Sequence, residues 1–183
     1  MSVAFFVMST GRCSTQYLAH ELAKVAPDCL IEHEPIRYQY LSRKVFRQPK
    51  EFKRVLGGNT ALQRKFIEIE DTLSKDTRYV DVGRPTYAWL PYLSFRFQEK
   101  FEFSHLVRNP FQCAASMLTQ GFYTGGSANY VRTSVIHGND PEVSFPQFKA
   151  EFDDFTPYEK CLFHWVELNQ FILDFHGHKS FRG

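Results

Sequence analysis

The chain opens with an apolar run, Val3 to Met8, that stops abruptly at Ser9-Thr10-Gly11-Arg12-Cys13-Ser14-Thr15. Hydrophobic positions then change period, with Leu18, Leu22 and Val25 at helical spacing. A short apolar run bounded by small residues predicts a buried strand, and the spacing after it predicts a helix. The same alternation recurs downstream. Buried strands are expected at 3–8, 78–82 and 101–107, and helices at 14–26, 60–74, 111–120 and 157–175. Continuous apolar strands alternating with amphipathic helices predict an α/β fold with a parallel sheet rather than a sandwich. Neither a repeat nor a low-complexity tract interrupts the pattern, and residues 1–183 read as a single domain.

The first strand-to-helix junction carries candidate chemistry. Backbone amides and a helix N-terminus converge there, and both favour an anion. Arg12 adds a permanent cation, while Ser9, Thr10, Ser14 and Thr15 offer hydroxyl donors. The segment predicts a phosphate- or sulfate-binding loop. It is not a Walker A sequence, which requires G-x-x-x-x-G-K-[ST], and its single Gly11 does not make a dinucleotide fingerprint. An ordinary strand-to-helix turn is the plainer alternative.

A second junction, FEFSHLVRNPFQCAASML at 101–118, has matching character. Asn109 is placed to cap the next helix, Pro110 suits its first position, and Gln112 completes a capping-box arrangement. Arg108 then falls at the carboxyl end of a strand, where open α/β sheets place their ligand crevice, with Ser116 about two turns into the helix. A guanidinium and a hydroxyl on neighbouring elements suit an oxyanion clamp. The alternative is a surface ion pair beside a small packing residue.

Together, S-T-G-R-C-S-T at 9–15 and R-N-P-F-Q-C-A-A-S at 108–116 resemble the sulfotransferase family that uses 3′-phosphoadenosine 5′-phosphosulfate (PAPS). The stretch YEKCLFHWVELNQFIL, 158–173, is similar to the long helix that follows in family members. The resemblance implies a three-layer α/β/α fold of the P-loop NTPase-like group. It implies a transferase that moves a sulfuryl group from PAPS to a hydroxyl or amine acceptor and leaves adenosine 3′,5′-bisphosphate. On that basis Ser9, Thr10, Gly11, Arg12, Cys13, Ser14 and Thr15 surround the 5′-phosphosulfate, with Ser14 and Thr15 on the 5′-phosphate. Arg12 takes the role usually held by a Lys or Arg of this loop. Arg108 and Ser116 grip the 3′-phosphate, the group that separates this donor from ATP.

The acceptor needs a base, which the family supplies from the segment after the first helix. Here that segment is IEHEPIRY, 31–38, offering Glu32, His33 and Glu34. A Glu-Pro pair at this place makes Glu34 the first candidate and His33 the second; three solvated loop residues are the alternative. His105 reads as a packed strand histidine and His20 as surface. Sulfuryl transfer requires no metal in principle, and no metal-ligand spacing is evident.

Composition adds boundaries. The chain has 183 residues, 43% hydrophobic, enough to bury a core without disulfides. Its 19 phenylalanines point to an aromatic core or an apolar acceptor pocket. Cys13, Cys29, Cys113 and Cys161 are scattered without a C-x-x-C pair, which disfavours a zinc site or a disulfide framework and favours a reducing, cytoplasmic setting. Cys13 could form a stabilised thiolate at the helix N-terminus, but Ala19 stands where the phosphatase pattern needs arginine; it reads as a small loop residue. A net charge of +2 gives no argument for nucleic acid, and no apolar run reaches membrane-spanning length.

Charge is unevenly spread, however. Arg37, Arg43, Lys44, Arg47, Lys50, Lys53, Arg54, Arg64 and Lys65 face only Glu51. This basic stretch suits an anionic acceptor, a glycan, a lipid headgroup or another small molecule, or else a solvated face. Residues 121–142 are rich in glycine and polar side chains and read as a long loop. Family members continue beyond the last helix into a segment that closes over the nucleotide, whereas this sequence ends HGHKSFRG, 176–183, leaving Lys179 and Arg182 to supply part of that function. A shortened piece, a minimal form and a relative that binds nucleotide without catalysis all fit that ending. The absent Walker lysine and the Arg108/Ser116 pair disfavour an ATP-dependent phosphotransferase.

Overall fold

A computed structural model describes residues 2–36, 39–47, 49–125 and 134–180. Four strands form one sheet: β1 (Ala4–Ser9), β2 (Cys29–His33), β3 (Arg78–Gly83) and β4 (Phe101–Leu106), in the order β2-β3-β1-β4 and all parallel. The helices are α1 (Thr15–Val25), α2 (Gln39–Arg47), α3 (Phe52–Gly57), α4 (Thr60–Ser74), α5 (Leu90–Phe97), α6 (Pro110–Thr119) and α7 (Pro157–Ser180). This is the α/β architecture that the alternation predicts.

β1 lies inside the sheet, and its sequence explains why. In AFFVMS every position is apolar until the last, so both faces of the strand can be buried. Phe6 and Met8 pack into the larger core with Phe66 and Ile69 of α4, Leu90 and Leu93 of α5 and Leu168 and Ile172 of α7. Val7 faces the other way, with Val82 of β3 and Ala19 of α1. Helices therefore cover both faces. Aromatic side chains fill much of the larger core: Phe6 stacks on Phe101 at 5.5 Å, and the buried Trp89 meets Phe52 edge-on at 5.1 Å.

Four elements were not evident from hydrophobic pattern: β2, α2, α3 and α5. β2 is an edge strand of five half-buried residues, two of them polar, so it carries no apolar run. α2 hides Leu41, Val45 and Phe46 among basic residues, and α3 buries Val55. The described part of the basic stretch thus falls largely on α2, α3 and the start of α4, helices that pack apolar residues on the core. Arg43 there pairs with the buried Asp140, and Lys65 of α4 pairs with Glu32. The side chains of Arg37 and Arg47 lie outside the described residues. α5 follows a short 3-10 turn, Pro85–Trp89, and its Pro91 occupies the first turn, where the missing N–H costs nothing.

α7 organises the described end of the 121–142 loop and the residues after it. His164 accepts the Ile136 N–H through Nδ1 at 3.2 Å. The buried Glu167 accepts the N–H groups of Ser144 and Phe145 at 2.8 and 3.0 Å. Val135 and Ile136 are buried, so this stretch is packed rather than solvated. The intervening residues 126–133 lie outside the described ones, as do Arg182 and the side chain of Lys179. No helix among the described residues is long and apolar enough to cross a membrane.

Candidate functional site

Four parallel strands carry their carboxyl ends to one edge of the sheet, and a cleft of about 340 Å³ opens there. The connection from β1 runs through α1 to β2, whereas that from β3 runs to β4 on the far side of β1. Oppositely directed connections leave a crevice at the strand ends, the usual ligand position in open α/β sheets. Each strand end contributes to its walls: Arg12 and Thr15 after β1, His33 and Glu34 at β2, Arg84 after β3 and Arg108 after β4.

The β1–α1 loop turns tightly. Gly11, Arg12 and Ser14 all adopt positive φ, at 80°, 58° and 59°. Ser9 Oγ accepts the Gly11 N–H at 3.2 Å and fixes the start of the turn. Ser14 occupies the N-cap position of α1 without a capping side-chain hydrogen bond, and the first turn contains no acidic residue. The positive end of the helix therefore faces the cleft without an intramolecular counter-charge from its own side chains.

The structure brings the two arginine segments into direct contact. Arg12 Nε donates to Ser116 Oγ at 2.9 Å, and Arg108 Nη1 donates to the Arg12 carbonyl at 2.9 Å. Asn109 caps α6 as its position predicts, its Oδ1 accepting the Gln112 N–H at 3.2 Å, with Pro110 at the first helical position. Arg108 follows the end of β4, which aims it back over the loop.

Within the loop, exposure divides the residues. Gly11, Arg12, Ser14 and Thr15 line the cleft. Ser9, Thr10 and Cys13 are buried beneath it, with their side chains engaged inside the protein. Of the three polar residues after α1, His33 and Glu34 reach the cleft. His33 Nε2 lies 3.0 Å from Thr15 Oγ1. Glu34 has a positive φ of 48°, which ends β2, and its N–H donates to the Val82 carbonyl at 3.2 Å. Glu32 instead points to Lys65. His105 is half-buried and 2.7 Å from Asn169 Oδ1, and burial holds its pKa below the usual histidine range; His20 is exposed.

Arg84 is the cleft residue that the sequence pattern did not single out. It is 8% exposed, lies 5.5 Å over the Phe122 ring, and donates from Nη2 to Ser134 Oγ at 3.3 Å. Its one signal was position: it directly follows a strand, as Arg12 and Arg108 nearly do. Arg12, Arg84 and Arg108 thus place three guanidinium groups around one cleft. Among the described residues no group of three or more histidine, cysteine or acidic side chains is arranged to hold a metal ion.

No protein-family model matches this chain, and neither does any curated protein sequence or solved structure in the comparisons made. Three arginines, an open helix N-terminus and an acid–imidazole pair can together hold a multiply charged anion and accept a proton beside it.

Proposed function

We propose that the cleft binds PAPS and transfers its sulfuryl group in line to a hydroxyl or amine acceptor. One observation carries the reading: the Arg12–Ser116 and Arg108–Arg12 hydrogen bonds interlock the two segments that resemble the family's anion-binding motifs. The sheet order, with an anion loop leaving an interior strand, also suits the P-loop-like group.

In this reading the amides at the start of α1 and the Arg12 guanidinium stabilise charge on the 5′-phosphate as it departs. Ser14 and Thr15 orient that phosphate. Arg108 and Ser116 bind the 3′-phosphate, so Arg12 and Arg108 span the donor from both ends. Glu34 takes the acceptor proton as the acceptor oxygen attacks sulfur opposite the leaving phosphate oxygen. His33, beside Thr15, is the other group placed to accept it. Arg84 adds positive charge to the wall shared with Glu34 and favours an anionic acceptor, such as an acidic glycan or a lipid headgroup.

Calorimetric titration with adenosine 3′,5′-bisphosphate, using ADP for comparison, tests the donor. The bisphosphate should bind much more tightly than ADP, and Arg108→Ala should remove the difference. Equal binding of the two nucleotides, or no binding of either, overturns the reading.

A further inference from the structure

Two thiols meet beneath the anion loop. Cys13 belongs to the loop and Cys113 to the first turn of α6, and both are buried. Each donates to the same acceptor, the Gly11 carbonyl oxygen, at 3.2 Å. Each sulfur also lies 3.6 Å from the Thr10 hydroxyl. Two sulfurs that share both partners are held side by side, although their residues are far apart in sequence.

The pair is chemically unequal. Once Cys13 is ionised, the Cys113 S–H can turn from the Gly11 carbonyl to the Cys13 sulfur. That hydrogen bond lowers the Cys13 thiol against the opposing effect of burial, with Thr10 and the Arg108 charge adding to the depression. Cys113 is pushed upward by the same partner and by burial. One sulfur is therefore disposed to be the thiolate and the other to keep its proton, the division that sequential thiol oxidation needs. Arg12 and Ser14, the chain neighbours of Cys13, line the cleft, which brings solvent and any small oxidant to within one residue of it.

We propose that Cys13 and Cys113 form a reversible redox pair, in which a peroxide converts the two thiols into a disulfide tying the anion loop to α6. The Cys13 thiolate attacks one peroxide oxygen, the O–O bond breaks, and the departing hydroxide takes a proton to become water. Cys13 is then a sulfenic acid. The Cys113 sulfur attacks the Cys13 sulfur, an S–S bond forms, the S–O bond breaks, and a second water leaves with the Cys113 proton. Two electrons pass from the sulfurs to the peroxide, and an external thiol reverses the change. The other two cysteines provide controls. Cys161 is buried in the same apolar cluster as the pair, but burial raises it to about 12, and among the described residues it shares neither the Gly11 carbonyl nor the Thr10 hydroxyl. Cys29 is half-buried on β2.

Treating the full chain with hydrogen peroxide, alkylating the remaining thiols and mapping peptides by mass tests this directly, whatever the cleft binds. The expected product is a linked Cys13–Cys113 peptide pair that dithiothreitol separates, with Cys29 and Cys161 still alkylated. In Cys113→Ser the intermediate should persist, and dimedone should label Cys13. Alkylation of both Cys13 and Cys113 after treatment overturns the proposal. So does a crosslink through Cys29 or Cys161, or oxidation of Cys13 beyond the sulfenic acid without a crosslink in the unmodified sequence.

Discussion

Arg12 Nε donates to Ser116 Oγ across 2.9 Å, closing a contact between residues 104 positions apart. The backbone of the same arginine is held by Arg108, so side chain and carbonyl are both fixed from the α6 side. The loop is thus braced before any ligand arrives, and less ordering is required on binding.

Removing the brace should therefore weaken anion binding. Ser116→Ala is expected to lose about 1 kcal/mol in adenosine 3′,5′-bisphosphate affinity, roughly fivefold, and Arg12→Ala considerably more. In a double-mutant cycle the two changes should be partly non-additive, because the hydroxyl, besides facing the 3′-phosphate, holds the guanidinium in place. Calorimetry on the two single variants and the double variant measures the coupling; strict additivity contradicts the shared role.

Glu34→Gln should separate binding from turnover. The amide keeps the volume of the carboxylate, and with it the packing over Gly83, but cannot accept a proton. Bisphosphate affinity should stay within about twofold, while sulfuryl transfer to any accepted hydroxyl falls roughly 10²- to 10⁴-fold. An equal loss in His33→Asn alone, with Glu34→Gln active, would assign the base to the imidazole.

Much of this was legible from residue order because strands buried on both faces announce themselves. β1 and the helix after it, and β4 with Asn109 and Pro110, follow from apolar runs and cap residues. β2 left no such mark, since an edge strand needs burial on fewer sides and its Glu32 and His33 break the run. α2 was concealed by its charge, as buried Leu41, Val45 and Phe46 alternate with basic residues. Both segments of the site could be located, but not that Ser9, Thr10 and Cys13 face inward. The positive φ values at Gly11, Arg12 and Ser14 decide that, and local pattern does not encode them. Arg84 escaped notice because its role depends on Ser134 and Phe122, distant in sequence.

Two glycines should respond unequally to alanine. At Gly11 a Cβ would lie 2.7 Å from Arg84 Cδ, and the φ of 80° would strain any L side chain. At Gly83 φ is ordinary, but a Cβ would meet Glu34 Cγ at 2.6 Å and its backbone Cα at 3.0 Å. Side-chain atoms of an arginine can shift more readily than the backbone of a neighbouring strand end. Gly11→Ala is expected to cost about 1–2 kcal/mol, and Gly83→Ala about 3 kcal/mol while displacing Glu34 from the cleft. Urea denaturation ranks the two; a larger cost at Gly11 would show that conformation, not space, dominates.

Asp81 gives the fold a pH dependence of defined sign. Its side chain is 1% exposed beside Glu32 on the neighbouring strand, and Thr86 Oγ1 donates to its Oδ2 at 2.8 Å. Burial raises its pKa to about 7 despite that bond, and the charges of Glu32 and Glu34 push the same way against Lys65. Between the unfolded value near 4 and about 7, the folded state binds the extra proton, so Asp81 makes stability fall as pH rises through this window. The loss amounts to a few kcal/mol, because each pH unit crossed inside the window costs about 1.4 kcal/mol. Asp81→Asn, which keeps an oxygen for Thr86, should flatten the stability profile between pH 4 and 7 and raise the unfolding midpoint at neutral pH. Urea titrations of both proteins across that range provide the measurement. Parallel profiles for the two would mean that Asp81 ionises in the folded protein much as it does in the unfolded chain, with Lys65 offsetting its burial.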